Sequence, residues 1–297
     1  MSLQKILMGM RLPFLTGSVL PALAAAAFAS RSAHLRVLDV VAVALAVAFL
    51  HLGSNLFNDY YDTDTTDRVN RFRTPFSGGS RIVLDGVMSA RGVFLLSSAL
   101  FAVAALLAVY FTFRGRPLVW AFGLAGAAIG FFYSSRVPQL MSRGLGELGI
   151  FIAFGPLLTL GAGYALTGQI DPIQFLVGAL PGFHITAVLW INQFPDYEAD
   201  SSTGKRNLVV RLGKARSRAV YVALMLAPFA VAPALALARI LPWSSLALLV
   251  ALPLVAKTLA VFRKEWDDPR AIVPAQGLTI ASHLATTLLL TIGLWFR

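Results

Sequence analysis

The sequence predicts an all-α protein whose helices cross a membrane several times. Hydrophobic residues make up 57% of the 297 residues and charged residues only 13%, whereas charged residues average about 25% in soluble domains. The mean hydropathy is +0.73. Long apolar stretches recur along the chain, and it has none of the alternating segments of about ten residues that form a membrane β-barrel. Cysteine is missing, which excludes disulfides and thiolate metal sites.

Nine apolar stretches have the length of membrane-spanning helices, which need about 20 mostly apolar residues. Proline and glycine inside several of them do not exclude a span, because neighbouring helices satisfy the freed backbone groups. The fourth stretch is the shortest. The predicted spans are 12–29, 37–57, 93–113, 118–133, 148–166, 173–194, 219–237, 244–262 and 275–295.

The positions of the basic residues predict the orientation of these spans. With the N-terminus in the cytoplasm, 19 of the 25 Lys and Arg residues fall at the cytoplasmic side and six at the other. This asymmetry follows the positive-inside rule. The net charge of +11 is therefore a topology signal, and we expect no nucleic-acid partner. The predicted location is the inner (cytoplasmic) membrane, as a multi-pass protein.

Seven of the fourteen acidic residues lie in two short windows, each at the point where an apolar span ends on the predicted cytoplasmic side. The windows share the pattern N-x-F-x-D-Y and start at Asn55 and Asn192. The match suggests an internal duplication within a single domain of residues 1–297, with acidic motifs at 55–67 and 192–200. The acidic residues are Asp59, Asp62, Asp64, Asp67, Asp196, Glu198 and Asp200.

If each helix continues through its window, residues three and four apart share one face. One face then carries Asn55, Asp59 and Asp62, with Asn58 four residues before Asp62. The other carries Asn192, Asp196 and Asp200. Such oxygen ligands suit Mg²⁺, which is usually held by one or two carboxylates together with water and substrate phosphates. A solvated helix end is the alternative, and the pairing of two matching clusters disfavours it.

Basic residues beside Gly- and Ser-rich turns follow both acidic windows. Such turns offer backbone N–H groups and charged donors to phosphate. Positive-inside topology alone accounts equally well for any one of these residues. The candidates for binding a diphosphate are Arg73, Arg81, Lys205 and Arg206.

The motifs resemble those of the UbiA superfamily of intramembrane prenyltransferases. Its first motif, N-D-x-x-D-x-x-x-D, is matched by Asn58, Asp59 and Asp62, and its second, D-x-x-x-D, by Asp196 and Asp200. Position 66, where the third acid belongs, is a threonine, so Asp64 or Asp67 takes that role. The stretches 143–147, 154–156 and 196–213 are most similar to the MenA branch, which prenylates 1,4-dihydroxy-2-naphthoate in menaquinone synthesis.

The resemblance implies Mg²⁺-dependent transfer of a polyprenyl group from polyprenyl diphosphate to an aromatic acceptor. It makes Asp59, Asp62, Asp196 and Asp200 the catalytic carboxylates, with the three asparagines helping to hold the metal. An allylic cation needs a dry, aromatic-lined pocket. Glu147 is expected to orient the acceptor or act as a base, or else to stabilise a helix N-terminus. The candidate aromatic residues are Phe57, Tyr60, Tyr61, Tyr133 and Tyr197.

Other functions stay open on the sequence alone. Within the superfamily the acceptor is alternatively 4-hydroxybenzoate, homogentisate, a tetrapyrrole or a glycerol phosphate. A cation-coupled secondary transporter also uses paired intramembrane acids. It does not account for acids at helix ends among Arg, Ser and Gly. The sequence leaves the prenyl chain length and the oligomeric state undetermined.

Overall fold

The computed structural model describes residues 10–296, and in this part of the chain all regular secondary structure is helical. Three segments, Leu12–Leu15, Leu140–Arg143 and Trp243–Ala251, are 3-10 helices. The α-helices are α1 (Thr16–Ala29), α2 (Val37–Asp62), α3 (Thr66–Val69), α4 (Ala90–Phe113), α5 (Val119–Ser134), α6 (Gly146–Phe154), α7 (Pro156–Thr167), α8 (Ile173–Ser202), α9 (Leu208–Leu212), α10 (Lys214–Leu237), α11 (Leu252–Glu265) and α12 (Val273–Trp295).

Seven helical segments in the described residues are long and apolar enough to cross a membrane. Two of them are composite: Gly146–Thr167 contains α6 and α7, and Trp243–Glu265 contains a 3-10 segment and α11. The shorter apolar helices α1 and α5 occupy the first and fourth predicted spans. The membrane-helix prediction is thus confirmed for seven segments. Lys5 and Arg297, used to predict the orientation, lie outside the described residues.

Two helices run beyond the ends that hydropathy predicts. α2 continues to Asp62 and α8, 30 residues long, continues to Ser202. The sequence becomes polar where a helix leaves the hydrocarbon region, but the backbone hydrogen bonds of the helix continue beyond that point. The second acidic window is consequently helical, and the first is helical as far as Asp62, after which a turn at 63–65 leads into α3.

The predicted span 148–166 is broken at Gly155, between α6 and α7. Gly155 has φ −111° and ψ −104°, and Pro156 begins the next helix. A Cβ atom at Gly155 would lie 2.7 Å from the Gly178 carbonyl oxygen and 2.9 Å from the Gly182 Cα atom. The break therefore accompanies a close backbone approach between this hairpin and α8, which only glycine permits.

The bundle has two distinguishable ends. At one, which we call the carboxylate end, α2, α5 and α8 finish and α6 begins; Asn58 on α2 there donates to Ser134 at the end of α5, over 2.6 Å. At the opposite end, the Arg31 guanidinium donates to the carbonyl of Phe296, over 2.7 Å. A cavity of about 330 Å³ runs between them, lined mainly by α2, α5, α7 and α8.

Packed apolar side chains line the opposite end of the cavity. Phe111, Val119 and Ala165 belong to one buried apolar cluster. Just beyond it, the buried Asp39 accepts hydrogen bonds from Tyr110 (2.6 Å) and Arg116 (3.1 Å). This group of charged and aromatic side chains, together with Arg114, is called the Asp39 cluster below.

Candidate active site

The four predicted carboxylates meet at the carboxylate end, on the last turns of α2 and α8. Asp59 and Asp62 on α2, and Asp200 on α8, are all at most 5% exposed. Lys205, in the turn after α8, joins the two helices: its Nζ atom lies 3.3 Å from Asp62 Oδ2 and 3.5 Å from Asp200 Oδ1. Burial opposes the charge on Lys205, but the Asp200 and Asp62 carboxylates outweigh it and raise the pKa of the ammonium group.

The loop between α3 and α4 covers the carboxylates with backbone and amide donors. Asn70 Nδ2 lies 2.7 Å from Asp196 Oδ1, and the Gly78 N–H donates to Asp196 Oδ2 over 3.2 Å. The Ser80 N–H donates to Asp59 over 3.2 Å. The first motif's loop thus holds a carboxylate of the second motif, a pairing that links the two acidic windows directly.

Arg11 is a site residue that the sequence analysis treated only as a topology signal. Its guanidinium lies 2.6 Å from Asp59 Oδ1, and its side chain also lines the cavity. Nothing in the local sequence distinguishes it from other basic residues near a span. Its position just before the first apolar stretch is the only available signal. The structure places a second cation, besides Lys205, at the carboxylates.

The three predicted asparagines line the cavity. Asn58 Nδ2 donates to Asp62 over 3.1 Å, as their spacing of four residues predicts. Asn192 Oδ1 accepts from Gln276 Nε2 over 2.9 Å. The buried Nδ2 atom of Asn55 has no hydrogen-bond partner among the described residues, so it is a donor available to a ligand.

No group of three or more His, Asp or Glu side chains in residues 10–296 is arranged as a ready metal site. Cations and amides occupy the carboxylate oxygens instead. The donor set nevertheless fits Mg²⁺, since that ion needs only one or two carboxylates besides water and phosphate. One buried oxygen, Asp59 Oδ2, has no partner among the described residues. The site therefore carries hard oxygen donors and at least one unused carboxylate oxygen.

The structure separates the predicted phosphate-binding residues. Lys205 lines the cavity. Arg73 and Arg206 are exposed and do not line it. Arg81 also lies off the cavity wall; it donates to the Asp67 carbonyl over 3.0 Å and pairs with Asp85 over 3.2 Å. Of the four candidates, geometry brings only Lys205 to the carboxylates, and Arg73 and Arg81 pair with Asp85 instead.

Asp67 is the acid that lies with the motif carboxylates. It is 4% exposed and lines the cavity, whereas Asp64 is exposed to solvent. Burial and the neighbouring Asp62 and Asp59 raise the pKa of Asp67 to about 7. Gly79 packs so closely on the Asp67 carboxylate that a Cβ atom there would overlap it. Asp67 is thus the better placed of the two candidates for the third acid.

Most of the predicted aromatic residues face away from the cavity. Tyr60 and Tyr61 stack on each other with ring centroids 5.1 Å apart, and Phe57 packs on Phe94 at 5.4 Å. Tyr60 is two residues from Asp62, or about 200° around the helix, so it lies on the opposite face. Tyr197 lies beneath Lys214, also outside the cavity. The aromatic residues that line it are Phe14, Phe76, Phe111, Phe122, Tyr133 and Phe154.

Glu147 lies behind the cavity wall at the start of α6. It is 2% exposed, and its Oε1 atom accepts hydrogen bonds from Gln193 Nε2 and the Leu208 N–H, each over 2.9 Å. Gln193 and Asn207 line the cavity beside it. Its partners are specific side-chain and loop donors, so its role is not limited to stabilising the N-terminus of its own helix.

The cavity changes character along its length. At the carboxylate end it is lined by Asp, Asn and Lys side chains, and towards the opposite end by Val, Ala, Leu, Phe and Gly. Its α2 lining runs from Val43 to Asp62, which corresponds to about 29 Å along the helix axis. This length is close to the hydrocarbon thickness of a bilayer, about 30 Å. The shape suits a long apolar ligand with an anionic head.

The chain has clear relatives. A family model described as the UbiA prenyltransferase family matches residues 18–294, which include both acidic motifs. The 1,4-dihydroxy-2-naphthoate octaprenyltransferase of Mycobacterium tuberculosis is 30% identical over 228 residues, covering 75% of this chain and 74% of that protein. The enzyme of the same name from Haemophilus influenzae is 28% identical over 268 residues, covering 86% and 84%.

The fold also matches a solved structure. A UbiA homologue from Archaeoglobus fulgidus, bound to DMAPP and Mg²⁺, has a TM-score of 0.66 at 21% identity, covering 97% of this chain and 99% of that one. At this identity the match concerns the fold. It extends over the whole helical bundle, including the helices that carry the carboxylates.

Proposed function

Since the chain belongs to the UbiA prenyltransferase family, we propose that it transfers a polyprenyl group from polyprenyl diphosphate to 1,4-dihydroxy-2-naphthoate in menaquinone synthesis. The acceptor is proposed from the names of the relatives in M. tuberculosis and H. influenzae. The observation that carries the proposal is the cavity, whose polar end holds both acidic motifs and whose apolar length suits a prenyl chain.

The diphosphate head binds at the carboxylate end. Asp59, Asp62, Asp196 and Asp200 would hold Mg²⁺, which would supply positive charge to stabilise the leaving diphosphate. Arg11 and Lys205 stand beside the same carboxylates and add positive charge at the cavity wall. Asn55 Nδ2 is a further donor for a diphosphate oxygen.

Transfer breaks the bond between the allylic carbon and the diphosphate oxygen, and the electron pair leaves with the diphosphate. A ring carbon of the acceptor then bonds to the allylic carbon. With 1,4-dihydroxy-2-naphthoate this is the carbon that bears the carboxylate, which departs as CO₂ and returns its electron pair to the ring. The apolar wall below the carboxylates, including Phe154 and Leu189, excludes the water that would otherwise capture the cation.

We also propose the membrane arrangement of the chain: nine spans, a cytoplasmic N-terminus, the inner membrane, and a carboxylate end that faces the cytoplasm. The charge asymmetry of the sequence supports it. Residues 1–297 form one domain in this proposal. The parallel placement of Asn55 and Asp59 on α2 and of Asn192 and Asp196 on α8 supports a duplicated unit.

The proposal is tested with purified protein in lipid nanodiscs, labelled prenyl diphosphate and a panel of aromatic acceptors. We expect Mg²⁺-dependent prenylation of 1,4-dihydroxy-2-naphthoate with release of CO₂ and diphosphate. Transfer only to 4-hydroxybenzoate or homogentisate would replace the proposed acceptor with another. Ion movement without consumption of prenyl diphosphate would overturn the proposal in favour of a transporter.

A further inference from the structure

Gln193 carries a buried hydrogen-bond acceptor that the transfer machinery described above does not use. The residue is 6% exposed and lines the cavity. Its Oε1 atom has no hydrogen-bond partner among the described residues. A buried polar atom without a partner is destabilising unless a ligand or water satisfies it. An orphan acceptor on a cavity wall therefore points to a ligand that brings a donor.

Glu147 determines which end of the Gln193 amide faces the cavity side. The carboxylate Oε1 of Glu147 lies 2.9 Å from the amide nitrogen of Gln193. The amide nitrogen is therefore the atom of Gln193 that donates to Glu147, and the amide oxygen takes no part in this contact. The Leu208 N–H, donating to the same oxygen over 2.9 Å, anchors the carboxylate in turn. The amide oxygen is thereby kept as an acceptor.

The position of Gln193 along α8 places this acceptor near the transfer reaction. α8 runs towards the carboxylate end, and the cavity face of its second half carries Leu189, Asn192, Gln193, Asp196 and Asp200. Gln193 precedes Asp196 by three residues, which is close to one helical turn of about 5.4 Å. It therefore lies about one turn from Asp196, on the side of the apolar part of the cavity, and so next to the proposed diphosphate site.

We propose that Gln193 Oε1 binds a phenolic hydroxyl group of the aromatic acceptor, and that Glu147 is the positioning residue that fixes the amide for this contact. The proposal rests on the proposed function. It adds a rule of selectivity: the site takes the acceptor in its hydroxylated, reduced form. A quinone carbonyl or an aryl ether in the same place brings no donor and leaves the Gln193 oxygen unsatisfied.

The test uses two isomeric analogues as inhibitors that compete with the acceptor. 1-Hydroxy-2-naphthoate lacks the 4-hydroxyl group of 1,4-dihydroxy-2-naphthoate, and 4-hydroxy-2-naphthoate lacks the 1-hydroxyl group. Inhibition constants report binding and do not depend on how reactive each ring is. In the wild-type protein, the analogue that lacks the recognised hydroxyl should bind about tenfold more weakly, the usual effect of one lost hydrogen bond. Equal binding of the two analogues by the wild type would overturn the proposal without any variant.

Variants then assign the contact to Gln193. In Gln193→Leu, which keeps the size of the side chain, the two analogues should bind equally, while KM for prenyl diphosphate stays within twofold. Glu147→Gln presents both a donor and an acceptor to Gln193, so the Gln193 amide can rotate by 180°. The ratio of the inhibition constants of the two analogues should therefore fall several-fold. A preference that persists at its wild-type value in Gln193→Leu contradicts the proposal.

Two matched changes outside the cavity control for general damage. Gln169→Leu alters an exposed glutamine in the loop before α8, and Glu265→Gln alters an acid at the end of α11. Both should keep the wild-type preference. If Gln193→Leu does not fold, Gln193→Ala takes its place. Turnover of 1,4-dihydroxy-2-naphthoate by the wild type tests the proposed function separately. If the substrate is another hydroxylated acceptor, inhibition constants are compared for the analogues of that acceptor that lack one hydroxyl group.

Discussion

Lys205→Met removes the cation that holds α2 and α8 together at the carboxylates. In the structure its ammonium group lies 3.3 Å from Asp62 and 3.5 Å from Asp200, and its side chain is only 15% exposed. Methionine keeps most of the length of the side chain and loses the charge. The variant leaves two buried carboxylates facing one another without a counter-charge.

The expected destabilisation follows from this geometry. Removing one partner of a buried ion pair costs about 3–5 kcal/mol in free energy of unfolding. Because Lys205 keeps some contact with solvent, we expect the lower end, about 3 kcal/mol. At about 2–4 °C per kcal/mol for chains of this order of size, the unfolding temperature falls by about 6–12 °C. Mg²⁺ brings two positive charges to the same oxygens, so it should restore more stability to the variant than to the wild type.

The assay is thermal unfolding in detergent, in EDTA or in Mg²⁺, with the folded fraction measured by size-exclusion chromatography after heating. Lys214→Met is the matched control, since Lys214 pairs over 3.4 Å with Asp267, whose side chain is 72% exposed. Exposed pairs contribute about 0–1 kcal/mol, so this control should unfold close to the wild type. Identical unfolding temperatures for Lys205→Met and Lys214→Met in EDTA would refute the reasoning.

Three further changes test other parts of the site. Asp196→Asn should lower prenyl transfer at least a hundredfold, and thermal unfolding checks that the variant folds, since asparagine keeps an acceptor for Asn70 but loses the second oxygen that accepts from the Gly78 N–H; full activity would remove Asp196 from the metal ligands. Arg11→Gln should raise KM for prenyl diphosphate about tenfold in a donor titration, and an unchanged KM would contradict a role at the diphosphate. A Cβ atom at Gly126 meets no atom within 4 Å. Gly126→Leu should therefore lower kcat/KM about tenfold for long prenyl donors and leave kcat/KM for geranyl diphosphate unchanged. Leu124→Phe, a change at an outward-facing residue, is the control. Equal losses for all donors in Gly126→Leu, or the same donor selectivity in Leu124→Phe, would count against a prenyl chain at this wall.

Helical periodicity was sufficient to predict which acids share a face. Asn58 and Asp62 are four residues apart, and the structure joins their side chains over 3.1 Å. Asn192, Asp196 and Asp200 all line the cavity from one side of α8. Local spacing determines such relations, because every α-helix has the same 3.6 residues per turn.

Contacts between distant segments could not be predicted in this way. Asn70 reaches Asp196 across 126 positions of the chain, and this depends on the path of an irregular loop. Arg11 pairs with Asp59 only because the chain turns at residue 11, where φ is +54°, before α1 begins. Tyr60 and Tyr61 were candidates for the cavity by composition, but packing of α2 on α4 turns that face away. Periodicity predicts which residues of one helix share a face, but it does not predict which neighbouring helix that face contacts.

The Asp39 cluster has a consequence for the membrane in which the protein works. A cavity nearly as long as the bilayer is thick, with buried carboxylates at one end, would offer protons a pathway if both of its ends opened to water. Phe111, Val119 and Ala165 pack together at the other end, and Asp39 beyond them accepts hydrogen bonds from Tyr110 and Arg116. Packing at this end therefore keeps the cavity from connecting the two sides of a membrane, although the cavity spans most of the length of the bundle.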